Sequence, residues 1–359
     1  LFVKNTDLLG VFGGSFVNIS TVESSGIELL MSLFRLNNHE RMIHNDRRSS
    51  DFLLEWVSKS RLSMPADYRK WLERFFGWEA FFGLRVVPYF FLKDSPSASD
   101  LFGLIKKTSA ERLLHMFLSS DFKEPNELDD MIIESFERDE KAALDFAFSN
   151  PTLTNPDRYE AIEMLKDQSK TRDSFVKLLE FGRENLLASP DFTLSTSHSL
   201  GLLEENLKQF GSSFLHFLLD PDALDPSVEE LRLLVTWFLG GSSITIEVPE
   251  KNSIISVVGA DRISERSLTV EKQDAACIMS TMSKEEAIVI LRNVLHSSQT
   301  LSSIVGLSGL HRHNAINTLA GLSRQGLVIP ETHDGELTFR SEIKLLDEAL
   351  EEIRKQITE

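Results

Sequence analysis

Apolar side chains recur three and four positions apart through most of this chain, the spacing that lines one face of an α-helix. Ile27, Leu30, Met31 and Phe34 share one face, and Phe52, Leu53, Trp56 and Val57 do the same in the next segment. Further helices are expected at about 65–77, 98–106, 109–119, 126–147, 156–167, 170–187, 197–217 and 227–239. The breaks between them carry Pro, Ser, Asn and Asp, as in Ser95-Pro96-Ser97, Asn155-Pro156 and Asp220-Pro221-Asp222, which is turn chemistry. Loose alternation over residues 10–20 predicts one or two short strands before the helices begin.

The pattern changes at Gly240-Gly241. Ser243 to Pro249 and Ser253 to Val258 read as two strands around a turn, followed by a linker to about residue 282. Ser283 and Glu286 have the spacing of a capping box, and Ala287, Ile288, Leu291, Val294 and Leu295 follow at helical spacing. Thr300 and Ser302 then offer caps to a short helix with Ile304 and Val305 facing inward. Ser308-Gly309 reads as a tight turn into a second helix, and Gly326 as the entry to a strand. In the last segment Ile343, Leu346, Leu350, Ile353 and Ile357 are spaced three, four, three and four apart, a heptad seam suited to a dimerisation helix. The bland alternative is an amphipathic helix packed on its own domain.

With 359 residues, 42% hydrophobic and 26% charged, the composition is that of an ordinary globular protein with length for one to three domains. No apolar run approaches a membrane span and no secretory signal is visible, and one cysteine, Cys277, cannot form an internal disulfide. A cytoplasmic setting with no membrane contact is therefore expected. The net charge of −17 argues against a polyanionic partner, but the charge is unevenly spread. Residues 284–330 hold Lys284, Arg292, Arg312 and Arg324 against Glu285 and Glu286, and also His296, His311 and His313. A locally basic head on an acidic body permits nucleic-acid binding.

The order helix, helix-turn-helix, strand, turn, strand, C-terminal helix is that of a winged helix. Thr300 and Ser302, Gly309-Leu310, the polar start His311 to Asn314, Leu319 with Leu322, and Gly326-Leu327-Val328 together resemble the ArsR-type winged-helix repressors. The resemblance covers roughly residues 283–357, with a wing over Val328 to Arg340 and a tip at His333-Asp334-Gly335. It implies a mainly α protein with four parts. A large helical domain over 1–240 supplies a dimer surface, a small-molecule effector site, or both. A β-hairpin and linker follow over 241–282, a winged helix-turn-helix over 283–340, and a C-terminal dimerisation helix over 341–359. The chain departs from the family in three ways. The helix before the recognition helix lacks cysteines, which removes the family's usual metal-sensing role. Gly306 and Gly321 lie inside helices. The wing carries Asp334 and Glu336 where many relatives have Lys or Arg.

Arg312 is the strongest candidate for base readout, since a guanidinium pairs bidentately with guanine. Asn314 and Asn317 suit adenine or phosphate, Thr300 and Ser302 suit phosphate at a helix N-terminus, and His311, His313, Thr318, Arg324 and Arg340 complete the expected DNA-contacting set. His311 and His313 are two apart and face different ways, so no metal site is expected, and no cofactor. Gly10-Val-Phe-Gly-Gly-Ser-Phe16 lacks the Lys-Ser/Thr of a phosphate loop and reads as a strand with a glycine bulge. The aromatic run from Trp71 to Phe91 reads as helical core, or as the lining of an effector pocket or dimer surface. No nucleophile is tied by the sequence to a base and an orienting group, so the chain is not expected to be an enzyme. The expectation is a cytoplasmic, homodimeric transcriptional repressor that reads palindromic double-stranded DNA. The alternatives are a winged-helix protein-interaction adaptor and an enzyme in the helical body.

Overall fold

The computed structural model describes residues 8–12, 15–42, 51–90, 96–118, 127–149, 153–187, 190–220, 228–248, 252–271, 275–333 and 335–358. Gly13-Gly14, residues 249–251, Asp334 of the expected wing tip and the side chains of Ile353 and Ile357 lie outside that description. The chain is mainly helical with small sheets. Strands β1 (Leu8–Phe12) and β2 (Ser15–Thr21) come first. Ten helices follow: α1 (Ser25–Met42), α2 (Asp51–Ser63), α3 (Ala66–Phe75), α4 (Val87–Phe90), α5 (Ala98–Lys107), α6 (Ala110–Leu118), α7 (Glu127–Arg138), α8 (Glu140–Ser149), α9 (Asn155–Leu165) and α10 (Gln168–Asn185). Next are α11 (Pro190–Phe210), α12 (Ser213–Leu218), β3 (Glu230–Thr236), β4 (Ser243–Val248), β5 (Ser253–Gly259), α13 (Ala260–Arg266) and α14 (Ala275–Met282). The C-terminal elements are α15 (Glu285–Asn293), β6 (Gln299–Thr300), α16 (Leu301–Ser308), α17 (Arg312–Arg324), β7 (Val328–His333), β8 (Glu336–Ser341) and α18 (Ile343–Thr358).

Two compact units divide the chain. The described part of the first comprises residues 20–196 and 228–260. Its core is aromatic: Phe75, Phe117 and Phe175, from α3, α6 and α10, meet with ring centroids 4.9–5.6 Å apart. Phe76, Phe82 and Tyr89 are buried in the same core, so that much of the aromatic run between Trp71 and Phe91 is structural. Helix α1 kinks at Asn38, whose Nδ2 donates to the carbonyls of Phe34 and Phe76 and so replaces a helical bond with a tertiary one.

Within residues 227–239, expected as a helix, Glu230–Thr236 forms strand β3 instead. It pairs in parallel with β5 from Glu230↔Ser253 to Thr236↔Gly259, and β4 pairs antiparallel with the other edge of β5. The reason is burial on both faces. Leu231, Arg232, Leu233 and Leu234 are all buried, and a doubly buried strand shows no alternation to separate it from a buried helix. Gly259 ends β5 against Gly240, where a Cβ would stand 1.9 Å from the Gly240 carbonyl oxygen. The Gly240-Gly241 punctuation thus marks a close backbone approach rather than a loose joint. Two other expected helices are each split: 126–147 becomes α7 and α8, and 197–217 becomes α11 and α12, broken at Gly211 with φ +61°.

The described part of the second unit comprises residues 8–19, 197–220 and 261–358. The β1–β2 hairpin is in register from Leu8↔Ile19 to Phe12↔Ser15. The stretch expected as a linker after β5 carries α13 and α14. Helices α15, α16 and α17 pack on one another, and β6, β8 and β7 form a three-stranded antiparallel sheet in that order. Helix α18 packs along α14. The expected Ser283–Glu286 capping box does not form: Lys284 is the N-cap without a side-chain bond, and Ser283 Oγ turns back to the Ser280 carbonyl. Among the described residues no helix is long and apolar enough to cross a membrane.

Candidate nucleic-acid interface

Of the residues singled out by sequence for DNA contact, Thr300, Ser302 and His311 to Asn314 lie at the N-termini of α16 and α17 and Arg340 on the β7–β8 hairpin, while Asn317 and Thr318 lie in the middle of α17 and Arg324 at its end. Thr300 is the N-cap of α16, its Oγ1 accepting from the Ser303 amide at 3.2 Å. Gly309 ends α16 at φ +67°, a left-handed turn that glycine enters without the Cβ penalty, and it sets α17 off in a new direction. His311 caps α17, its Nδ1 accepting from the His313 amide at 3.3 Å. That ring nitrogen is therefore committed to holding the helix start.

The faces of α17 divide cleanly. Ala315, Ile316, Leu319, Ala320, Leu322 and Ser323 are buried. Asn314 is exposed, and Thr318 and Gly321 are half-exposed on the opposite side. A Cβ at Gly321 or at Gly306 would meet nothing within 4 Å, so neither glycine is required by packing inside the protein. Asn317 Nδ2 lies 3.0 Å from His313 Nε2, which ties the two side chains one turn apart.

The cations expected to be free are engaged. Arg312 Nη2 donates to the His216 carbonyl in α12 at 2.9 Å, and its Nε is buried without a hydrogen-bond partner. Arg324 Nη1 donates to the carbonyls of Ser264 and Glu265 at the end of α13. Arg340 pairs with Glu331 across the hairpin, Nε to Oε1 at 2.8 Å, and with Glu342 at 3.6 Å. That pairing holds the Glu331 carboxyl below the usual carboxylate range and raises the Arg340 guanidinium above its own.

Sequence reasoning missed the partner of this surface, helix α12. Its last carbonyls accept from three arginines: His216 from Arg312, Phe217 from Arg266, and Leu218 from both Arg266 and Arg262. Cations at a helix C-terminus satisfy orphan carbonyls and oppose the negative end of the helix dipole. Arg262 and Arg266 are 7% and 3% exposed, and Arg266 Nη2 also lies 3.3 Å from His313 Nδ1. Arg262 is further paired with Asp220 at 2.9 Å. At the other end of α12, Ser213 Oγ donates to the Gly335 carbonyl at the hairpin tip at 2.6 Å. Phe217 of α12 meets Phe339 of β8 with centroids 5.8 Å apart. A cleft of about 290 Å³ remains between these elements, lined by Ser213, His216, Ser302, Arg312 and Glu336 among others. Burial, and next the Arg312 charge, lower the His216 pKa. The one sequence trace of this clasp is the four-residue spacing of Arg262 and Arg266, in a stretch without strong periodicity.

The heptad positions of α18 are only partly open. Ile343 and Leu350 are exposed at 40% and 45%, and Leu346 is half-buried. Cys277 is exposed in α14. Among the described residues no group of three or more His, Cys, Asp or Glu side chains is placed to hold a metal ion. Comparison with known proteins finds no matching family model, no matching curated protein and no matching solved structure.

Proposed function

We propose that the chain is a DNA-binding transcriptional regulator that reads double-stranded DNA through α17. The observation that carries this reading is the open stripe Asn314, Thr318 and Gly321 on α17. It lies beside the exposed Ser302 at the start of α16 and is followed by the β7–β8 hairpin. A helix–turn–helix and hairpin with β6 paired to β8 follows the order of a winged helix-turn-helix. The stripe is polar and free of acidic groups, and the glycine at its C-terminal end allows close approach of a phosphate backbone.

Readout shifts, in this proposal, from Arg312 to Asn314, with Asn317 and Thr318 beside it. An asparagine amide suits the N6 and N7 edge of adenine. Ser302 and the first amides of α16 suit a backbone phosphate. Ile343 and Leu350 on α18 supply the apolar seam of a homodimer, which places two copies of α17 on a palindromic site. The test is selection from a random-sequence duplex pool followed by footprinting of the enriched sequence. Enrichment of an inverted repeat supports the reading, and no enrichment over the starting pool refutes it.

A protein-interaction adaptor is the second reading. The specific observation that favours it is the pairing of the hairpin's Arg340 with Glu331 and Glu342, which leaves the hairpin with little positive charge to offer a phosphate.

A further inference from the structure

Two groups suited to a DNA backbone, the α16 N-terminus with Ser302 and Arg312 at the start of α17, line one cleft whose third wall is the hairpin tip at Gly335-Glu336. Helix α12 closes that cleft on its remaining side. It holds the hairpin tip through Ser213 Oγ and the start of α17 through the His216 carbonyl. We propose that α12 is an intramolecular competitor of DNA: its docked position closes the cleft, and full DNA engagement requires the hairpin tip and Arg312 to part from α12. The inference rests on the DNA-binding reading above.

Toward α13, the buried Arg262 and Arg266 donate to the Phe217 and Leu218 carbonyls of α12. Toward α17 and the hairpin, Arg312 donates to the His216 carbonyl, Ser213 donates to the Gly335 carbonyl, and Phe217 meets the Phe339 ring. The second set of contacts faces the proposed DNA site. Arg312 is also incompletely satisfied there. One Nη donates to a carbonyl while Nε is buried with no acceptor, whereas a guanidinium can donate through two parallel N–H groups to a phosphate. A buried N–H without an acceptor favours exchange of partners when a better one arrives. Gly211, with φ +61° and open space around it, joins α12 to α11 and can absorb a change in direction between them.

The test locks and unlocks the same molecule. His216 and Glu336 are both exposed and both line the cleft. In a Cys277→Ser chain, His216→Cys with Glu336→Cys is bridged by a short bis-methanethiosulfonate linker that dithiothreitol cleaves. A Ser213→Ala chain, which deletes the donor to the Gly335 carbonyl and adds no charge to the cleft, weakens that contact from the other side. Each is titrated by fluorescence anisotropy against a labelled random-sequence duplex pool at low salt. The inference predicts that the bridged form binds roughly tenfold or more weakly than its reduced form, since apparent affinity scales with the competent fraction. It also predicts that Ser213→Ala binds more tightly than the wild-type chain. Equal binding by bridged, reduced and wild-type chains overturns the competitor role and leaves DNA binding intact. No binding by any of them overturns both.

Discussion

Arg312 Nη2 donates to the main-chain carbonyl of His216 at 2.9 Å, so the arginine expected to read a base is engaged by a helix of its own chain. The acceptor is a backbone atom, and replacing the His216 side chain does not delete it. Arg312→Ala removes the bond outright. Loss of a charge-assisted bond at a half-buried site is expected to cost about 1 kcal/mol of stability, and urea denaturation measures it. If Arg312 also holds phosphate, the same change weakens binding of all duplex sequences alike, without relaxing any one base position.

Asn314→Ala is expected to behave differently. Asn314 is exposed on the open stripe of α17, so its loss leaves stability within about 0.5 kcal/mol. Discrimination at one base position falls by about 1–3 kcal/mol. Selection with the variant, compared with the wild-type chain, reads this directly. An unchanged sequence preference removes Asn314 from the reading face.

Arg266 is a structural counterpart to these surface residues. It is 3% exposed and holds the Phe217 and Leu218 carbonyls. Arg266→Met keeps the apolar stem and deletes the donors, leaving Phe217 without a donor and Leu218 with Arg262 alone. The expected cost is about 2–4 kcal/mol, measured by chemical denaturation. A cost under about 0.5 kcal/mol contradicts the clasp.

Glycine positions give an opposite sign. Gly321 lies inside α17 with open space where a Cβ would sit. Gly321→Ala is expected to stabilise by up to about 1 kcal/mol through helix propensity, seen as a raised melting temperature. If the stripe meets a phosphate backbone closely, the same methyl group weakens DNA binding. Stability and binding moving in opposite directions is the expected signature.

In the first unit, Glu28 of α1 accepts from Thr236 Oγ1 at 2.9 Å, and burial pushes its carboxyl up to about 8, only partly offset by that bond. A folded pKa above the unfolded one favours the protonated form in the native state. Stability from this group is full below about pH 4.5 and declines as pH rises toward about 8, each pKa unit being worth about 1.4 kcal/mol. Glu28→Gln, neutral throughout, is expected to flatten the decline in denaturation midpoint between pH 5 and 8. A variant with the wild-type pH slope contradicts this assignment.

The sequence was most legible where one face of an element is buried and the other is wet: on α2, Leu53, Trp56 and Val57 are buried while Leu54, Glu55, Ser58 and Lys59 are exposed. Helix α1 forms as expected but is buried on nearly every side, and Thr300 as a cap and Gly309 as a turn are read correctly from residue type. Strand β3 was not, because Leu231 to Leu234 are buried on both faces and carry no alternation. The capping box at Ser283 failed because the N-cap falls one residue later, at Lys284. The largest gap is α12. Its role depends on Arg262, Arg266 and Arg312, which lie about fifty to a hundred positions away, and no local pattern reports a carbonyl that waits for a distant guanidinium. For the same reason Arg312, Arg324 and Arg340 look like free cations in the sequence and are engaged in the fold.

The central claim is that this chain binds double-stranded DNA, and an anisotropy titration against a random-sequence duplex pool tests it most directly. Wild-type and Ser213→Ala chains are titrated at about 50 mM and about 200 mM salt, conditions between which phosphate contacts lose much of their affinity. The account predicts saturable binding at the lower salt, tighter for Ser213→Ala, with the logarithm of the binding constant falling linearly with the logarithm of salt. No binding by either chain at the lower salt would contradict it.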